Sequence, residues 1–464
     1  MERQRADRSN EASGRSEVNA LLIFGRWIRV ATRGVVAALS IAALGEAVSF
    51  GLFAGHSAPH ESAAQAAQQG ILLFYSFHRV ALQIHTSALR LPSIVNGAIG
   101  LPVGSETRST LGLAFMTGTA VAIWLLARAG RAIGKGFGGN PAVRALHGAA
   151  VALPYAGLSC AASWLVELSQ RLPQTSLMVV HPEHRSAFMW PFFIGAVAGA
   201  IGGFRSAGPD AVQEWLAWRL TANWMRRWRG IVAGATRTLL LSLVFSFVGL
   251  VAVAILKPSS TSAYFRAISS KGVPSGIAIA APTALAVPNM AAWVFVPAMG
   301  GCLEVAGVGS VTAATSPYCF LSYSNSLDHP AATISREWGF LGFHELGAPS
   351  SWFLLFLAVP LAAAFLGGVR AARAAEVVNA REAFLVTTVA ALIFAVLVGL
   401  ALMFAWVTLT TSGNLVNANN YIRYGPYPFD GAQLALGWSL IAGGFGGLFA
   451  YRGLRRGRSL KNQA

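Results

Sequence analysis

The sequence has 464 residues, of which 55% are hydrophobic and only 11% are charged. Soluble domains carry about 25% charged residues, so this composition excludes a water-soluble globular protein and predicts an integral membrane protein. The formal net charge of +17 is therefore taken to reflect Lys and Arg in cytoplasmic loops, and no nucleic-acid partner is expected.

Residues 1–18, the first part of the predicted basic tail 1–30, are polar and lack the apolar core of a secretory signal peptide. We expect this segment to be a disordered cytoplasmic tail.

Apolar runs dominate the rest of the chain. A helix needs about 20 apolar residues to cross the hydrocarbon core of a bilayer. Eight runs meet this requirement and two more are ambiguous: residues 71–91 contain His78 and Arg79, and residues 276–300 contain three prolines. The eight predicted spans are 34–54, 109–127, 145–166, 187–204, 238–256, 350–369, 383–408 and 432–451.

The positive charges decide how the ambiguous runs are treated. Suppose that the N-terminus is in the cytoplasm and all ten runs cross. The basic loops 128–144 and 205–236 would then lie outside, against the preference of Lys and Arg for cytoplasmic loops. If both ambiguous runs enter and leave at the outer face, every dense basic cluster is cytoplasmic. The sequence therefore predicts eight spans, two re-entrant segments and both termini in the cytoplasm. In residues 281–301 we expect the turn near Pro288–Asn289, and the alternative is a spanning helix kinked by proline.

One acidic residue lies inside a predicted span. Glu46 is near the middle of the first run, and an ionisable group in the membrane is a functional candidate by default. Its expected partner is Arg79 or His78. A structural ion pair, a proton- or ion-coupling role and a position near water remain as alternatives.

The order of features repeats along the chain. "ATRGVVAALSIAALG" begins at Ala31 and "ATRTLLLSLVFSFVG" begins at Ala235. Each is followed by an ambiguous segment, a span that ends in a basic pair, a hairpin and a glycine-rich span. This order predicts two parallel four-span repeats related by an axis along the membrane normal. The predicted regions are a tail (1–30), a first half (31–205), a linker (206–236), a second half with an outer loop at 301–349 (237–452) and a second basic tail (453–464).

The glycine-rich spans predict close helix packing, because small residues let helices approach each other in lipid. They leave open whether the two glycine faces pack on each other or within their own halves. The faces are Gly195, Gly199, Gly202 and Gly203 in the first half, and Gly443, Gly444, Gly446 and Gly447 in the second.

The linker between the halves combines tryptophan with arginine, which is typical of a helix at the cytoplasmic membrane interface. Anionic lipid is its expected partner, and a soluble docking partner is the alternative. The interfacial candidates are Trp215, Trp218, Trp224, Trp228, Arg226 and Arg227.

Few residues suggest chemistry. The "HPEH" stretch at 181–184 lacks the spacing of a zinc-binding helix. Cys302 and Cys319 fall in the predicted outer loop, where a disulfide bond is a candidate. No nucleotide-binding loop and no nucleophile with a matched base is present in the sequence, so we expect no enzyme activity, no cofactor and no metal.

The stretch "VPNMAAWVF", with Pro288, Asn289 and Trp293, is followed by "GG" at 300–301 and by a polar stretch that ends in "ATSP". It resembles a segment of a group of polytopic actinobacterial membrane proteins, the PerM-like cell-division proteins and the related streptophobe proteins. Two departures are the less regular "FHRVALQIH" of the first half and the long insertion at 301–349. The resemblance implies a non-enzymatic membrane protein of cell division or envelope maintenance, with possible partners in the division machinery.

The sequence therefore predicts an all-α, polytopic integral membrane helix bundle in the plasma membrane. Its expected function is that of a scaffold or stabilising partner in cell division or envelope maintenance. The alternative is a transporter or channel with a path between the two re-entrant segments, and an integral membrane enzyme comes third.

Overall fold

A computed structural model of the chain describes residues 2–54, 63–88, 106–171, 176–219, 222–256, 276–300, 302–308, 316–319, 356–413 and 416–461. These residues are mostly helical. Within the described residues, six helices are long and apolar enough to cross a membrane, which confirms a multi-pass helical membrane protein. The six are Phe24–Phe50, Pro141–Ser163, His184–Arg205, Asn223–Gly249, Ala380–Ala405 and Pro428–Arg456.

The first half of the chain alternates helices with pairs of strands. Its elements are α1 (Glu2–Ala54), α2 (Ala63–Ser76), β1 (Leu82–Ala88), β2 (Glu106–Gly112), α3 (Met116–Phe137), α4 (Pro141–Ala149), α5 (Ala152–Ser163), β3 (Leu168–Arg171), β4 (Ser176–Pro182), α6 (His184–Arg205) and α7 (Pro209–Arg219).

The second half follows the same order of helices and strands, except that one helix, Ala380–Ala405, takes the place of α4 and α5. Its elements are α8 (Ala222–Leu256), α9 (Gly276–Ala298), β5 (Cys302–Val308), β6 (Ser316–Cys319), α10 (Ala358–Ala374), α11 (Ala380–Ala405), β7 (Val407–Gly413), β8 (Val416–Pro426), α12 (Pro428–Trp438), a π-helical turn (Ser439–Gly443) and α13 (Gly444–Lys461).

The chain divides into two compact units. Unit 1 contains residues 1–45, 119–166 and 183–219, and unit 2 contains residues 46–118, 167–182 and 220–464. All eight strands belong to unit 2, although four of them come from the first half of the sequence.

The strands form one antiparallel sheet in the order β3-β4-β1-β2-β7-β8-β5-β6. This sheet was not expected. It explains two boundary errors. Residues 109–112 belong to β2 and not to a span, and residues 71–88, the described part of the ambiguous run 71–91, divide into the end of α2, a turn and β1. The strands are short and lie beside apolar helices, so their period of two is hidden in the longer apolar runs.

The N-terminal tail and the linker also differ from what the sequence predicts. The N-terminal segment is helical from Glu2, so its expected disorder is wrong; Ala, Arg, Gln and Glu favour helix. The last part of the predicted linker, from Ala222, already belongs to the long helix α8 and continues directly into a candidate span.

The segment 281–301 does not turn at Pro288–Asn289. α9 runs without a break from Gly276 to Ala298, so that prediction is wrong. Breaking a helix at membrane depth leaves backbone groups without partners, whereas neighbouring helices can compensate for the bonds that proline removes. The chain turns only after the helix, at Gly300, whose φ is 91°.

Within unit 1, α3 and α6 are in backbone contact. A Cβ on Gly134 would lie 2.9 Å from the Cα of Gly203, and a Cβ on Gly202 would collide with the Ala127 carbonyl. Gly199 contacts Gly148 of α4 in the same manner. These glycines therefore pack within the first half, which was one of the two alternatives left open by the sequence.

Within unit 2, α10 packs on the π-helical turn and on α13. A Cβ on Gly368 would lie 2.8 Å from the Cα of Gly443, and a Cβ on Gly446 would collide with the Phe365 carbonyl. Gly444 is different, because a Cβ there would meet no atom within 4 Å. The second glycine face therefore also packs within its own half, and Gly444 is not part of it.

Candidate functional site

Asn289 lies on α9 where three chain segments of unit 2 meet. Its Nδ2 atom donates to the carbonyl of Ala114 (2.7 Å) and to the carbonyl of Phe404 (3.5 Å). Its Oδ1 atom accepts from the backbone N–H of Met116 (3.0 Å). Met116 begins α3 and Phe404 is in the last turn of α11, so Asn289 satisfies backbone groups that helix ends leave without partners.

Two tryptophans bind helix ends in the same region. Trp293, one turn after Asn289, donates from Nε1 to the carbonyl of Ala405 at 2.8 Å. Trp438, at the end of α12, donates from Nε1 to the carbonyl of Met299 at 2.9 Å. We call Asn289, Trp293 and Trp438 with their carbonyl partners the α9 junction.

The α9 junction is surrounded by an apolar core. Phe295, Val296 and Met299 of α9 are buried against Phe394 and Leu402 of α11. Polar atoms are expensive in such a setting unless they are paired, and here each is bound to a backbone group. The junction fixes helix positions, and its geometry offers no group for acid–base chemistry.

We expect Asn289→Leu to lower the free energy of unfolding in detergent by about 1–3 kcal/mol, because it leaves the Ala114 carbonyl and the Met116 N–H without partners. Denaturant titration of the purified protein measures this loss. Asn223→Leu is the control, since Asn223 is exposed at the start of α8. Equal losses in both variants would contradict the assigned role of Asn289.

Glu46 lies against α2, and its expected ion pair is not formed. Ser49 donates from Oγ to the Ala66 carbonyl at 2.5 Å, and a Cβ on Gly70 would lie 2.8 Å from the Cα of Glu46. The buried Oε2 atom of Glu46 has no hydrogen-bond partner. In the described part of the chain Glu382 forms ion pairs with Arg226 and Arg227, whereas Glu46 does not pair there with Arg79 or His78.

His78 and Arg79 form the turn that follows α2. The His78 ring is fully buried, donates from Nδ1 to the Phe74 carbonyl at 2.7 Å and packs on the Phe74 ring. Arg79 has a φ of 58°, in the left-handed region that commonly ends a helix.

A buried ion pair was missed by sequence reasoning. Glu382, in the first turn of α11, accepts from Arg227 Nε at 2.8 Å and from the Val378 N–H at 3.0 Å, and Arg226 Nη2 is 3.6 Å away. Glu382 is 4% exposed. The spacing Asn379-x-x-Glu382 is typical of a helix start and could have placed Glu382 in the first turn of α11. Asn379 does accept from the Glu382 N–H at 2.7 Å.

The interfacial candidates therefore divide into two groups. Arg226 and Arg227 bind Glu382 as well as facing outward. Trp224 and Trp228 are exposed on α8, and Arg227 stacks on the Trp224 ring. On α7, Trp215 contacts the Phe204 ring edge-on. The side chain of Trp218 lies outside the described residues.

The sheet has one polar face. The register places Gln83 of β1 opposite Thr110 of β2, and Thr110 opposite Thr410 of β7. His85 is opposite Arg108, which is exposed. His181 is opposite Gln83 and stacks on the His85 ring with centroids 5.2 Å apart. Because paired residues share a face, we call these six residues the polar sheet face.

The two histidines of "HPEH" do not form a metal clip. His181 belongs to the polar sheet face, and His184 stacks on Trp164 and pairs through Nδ1 with Ser163 Oγ at 2.8 Å. Among the described residues, no group of three or more His, Cys, Asp or Glu side chains is placed to hold a metal ion.

Cys302 and Cys319 are directly opposite each other in the β5–β6 ladder. Opposite Cα atoms in an antiparallel pair are about 4.5–5.5 Å apart, within the range found in disulfides. The rest of the predicted outer loop, residues 301, 309–315 and 320–349, lies outside the described residues.

The disulfide itself stays a prediction. We expect protein purified without reductant to have one thiol that reacts with a maleimide after denaturation, and three after reduction, since Cys160 is the remaining cysteine. Cys302→Ser should expose Cys319 as a second reactive thiol without reduction. Three reactive thiols in the unreduced wild-type protein would contradict the bridge.

No family model, curated protein or solved structure matches this chain. The proposed function therefore relies on the geometry of the chain itself and on the resemblance of its sequence motif.

Proposed function

We propose that the chain is a non-enzymatic multi-pass membrane protein that acts as a scaffold or stabilising partner in cell division or envelope maintenance. The observation that carries this proposal is the eight-stranded sheet, in which the segments between helices from both halves join as one platform with a polar face. The polar groups of the α9 junction are bound to helix ends, which favours a positioning role over catalysis.

The proposal includes an architecture of eight spans in two parallel repeats. Two features of the structure support the repeats. The halves share one order of helices and strands, apart from α11 in place of α4 and α5, and asparagine caps the helix that follows α3 (Asn140) and the helix that follows α10 (Asn379). Helices α3 and α10, which complete the eight spans, end in Arg- and Lys-containing turns. Both termini are then cytoplasmic and the sheet is outside.

The proposal also includes two re-entrant segments. Each is a helix, a turn with positive φ at Arg79 or Gly300, and a strand that joins the sheet. Met299 contacts Trp438 at one end of α12, whereas Leu303 is opposite Pro426 beside the other end. This return of the chain along α12 supports a segment that enters and leaves on the sheet side.

Proximity labelling in the cell of origin tests the scaffold function. A biotin ligase fused to the C-terminus should label division or envelope-assembly proteins more than the same ligase does on an unrelated multi-pass protein at equal expression. Arg108→Glu, on the polar sheet face, should reduce this enrichment, whereas Arg185→Glu, exposed at the start of α6, should not. Equal labelling by the chain and the unrelated protein would overturn the proposal.

A transporter or channel is the second candidate function, favoured by the two helix–turn–strand segments, since irregular backbone at membrane depth often lines an aqueous path. Proteoliposomes that contain the purified chain distinguish it from a scaffold. A flux of ions or small solutes above that of empty liposomes, abolished by Asn289→Leu, would replace the scaffold proposal.

A further inference from the structure

The eight strands consist of two consecutive groups with the same internal order. The first group is β3-β4-β1-β2 and the second is β7-β8-β5-β6. Since the chain order of the elements is also the same, β3 corresponds to β7, and β2 corresponds to β6.

The registers of the two groups agree residue by residue. Leu82 is opposite Pro182 in the first group, and Leu303 is opposite Pro426 in the second, with each proline just before a helix. Val180 is paired with Ile84 on one side and Leu168 on the other. Its counterpart Tyr424 is paired with Val305 and Val407 in the same manner. Leu168 therefore corresponds to Val407.

The two groups are joined head to tail. The outer strand β2 of the first group pairs with β7 of the second, with Gly112 opposite Thr408 and Thr110 opposite Thr410. A joint between unlike edges leaves one edge of each type unused at the ends of the sheet. These are β3, the counterpart of β7, and β6, the counterpart of β2; neither pairs on its outer side with any other strand that the structure describes.

We propose that β6 of one chain pairs antiparallel with β3 of a second copy and so repeats the β2–β7 joint between molecules. The correspondence fixes the register: Cys319 lies opposite Ser169, Tyr318 opposite Gln170, and Pro317 opposite Arg171. The occupant is a copy of this chain because this chain carries both complementary edges in the register that its internal joint already uses. This assembly depends on the two-group sheet and not on a role in cell division.

The intermolecular joint is weaker than the internal one. β2 and β7 have seven residues each, whereas β3 and β6 have four each. Pro317 has no N–H to donate and is typical of an edge strand. Short strands and proline are the features that keep sheet edges from irreversible aggregation, so the head-to-tail contact is reversible.

Cysteine cross-linking in membranes tests the register. In chains whose native cysteines are replaced by serine, Gln170→Cys and Tyr318→Cys are introduced singly, with a different affinity tag on each chain, and the two chains are co-expressed. Opposite residues of an antiparallel pair are close enough to form a disulfide. Mild oxidation should therefore convert the 48.7 kDa chains to a product of twice that mass that carries both tags.

Three comparisons make the result decisive. No disulfide-linked dimer should form when Gln170→Cys or Tyr318→Cys is expressed alone. Met178→Cys should not form the two-tag product with Tyr318→Cys, because β4 is already paired on both sides. Each chain must elute as one folded species before oxidation. Absence of the two-tag product, a product from one variant alone, or an internal bridge without dimer in the Gln170→Cys/Tyr318→Cys double variant would each overturn the proposal. Biotin-labelling patterns do not enter this test, so its failure leaves the scaffold proposal in place.

Discussion

Replacing Gly202 by alanine should cost about 3 kcal/mol or more of unfolding free energy, because the new methyl group has no room. Its Cβ would collide with the carbonyl oxygen of Ala127, and backbone atoms of a neighbouring helix cannot rotate away as a side chain can. Helices in lipid have no hydrophobic drive to associate and depend on close packing. The variant should therefore separate α3 from α6, which is measured by denaturant titration and by loss of monodisperse elution.

Gly157→Ala is the matched control within unit 1. Gly157 lies in α5, and a Cβ there would meet nothing within 4 Å. Alanine is favoured over glycine inside a helix by about 0.5–1 kcal/mol, so this variant should be neutral or more stable. The second half offers the same contrast, since Gly446→Ala meets the Phe365 carbonyl and Gly444→Ala meets no atom. Equal behaviour of Gly202→Ala and Gly157→Ala would refute the packing of α3 on α6.

Arg227→Gln should destabilise the chain by about 3 kcal/mol, since breaking a buried ion pair leaves an uncompensated charge. Glu382 is buried at the first turn of α11, and Arg227 provides its shortest contact, at 2.8 Å. Arg227 is itself 28% exposed in its side chain, so we take the lower end of the range for buried pairs. Thermal unfolding in detergent checks the size of the loss.

Arg229→Gln separates this ion pair from a general loss of positive charge. Arg229 is two residues further along α8 and exposed, and exposed charges contribute little to stability. We expect less than about 0.5 kcal/mol of change in this control. A double variant, Arg227→Gln with Glu382→Gln, should recover part of the loss, because the buried carboxylate is then absent. No recovery would assign the effect of Arg227 to its other contacts.

The apolar runs were sufficient to predict a helical membrane protein. The predicted runs 187–204 and 432–451 lie within helices that the structure also presents as candidate spans. The hydrophobic period and the length of such runs are properties of the local sequence, so they can be read without knowledge of tertiary contacts. The glycine pattern likewise predicted close packing, and the structure determined that it is within each half.

The sheet could not be predicted in the same way. β1 alternates Leu82 and Ile84 with Gln83 and His85, but it directly follows the apolar helix α2 and was interpreted as part of one run. The β2–β7 joint connects residues about three hundred positions apart along the chain. Pairing over such a separation depends on tertiary structure, which no local pattern encodes.

The α9 junction was only half visible in the sequence. Asn289 and Trp293 were recognised in the motif, and Asn289 was expected at the turn of a re-entrant segment. In the structure it lies inside an unbroken helix and binds Ala114 and Phe404 instead. The physical demand was the same, a partner for free backbone groups, but the groups belong to other helices. Glu382 was missed because its partner Arg227 was assigned to the membrane interface.

The central claim is that the sheet lies outside the membrane and the basic loops lie inside, and labelling of single cysteines in intact cells tests it most directly. Arg108→Cys, on the polar sheet face, and Gly136→Cys, in the basic end of α3, are both exposed positions. With the native cysteines replaced by serine, a membrane-impermeant maleimide should label Arg108→Cys in intact cells and Gly136→Cys only after permeabilisation. Labelling of Gly136→Cys in intact cells, or protection of Arg108→Cys, would contradict the topology and the position of the sheet.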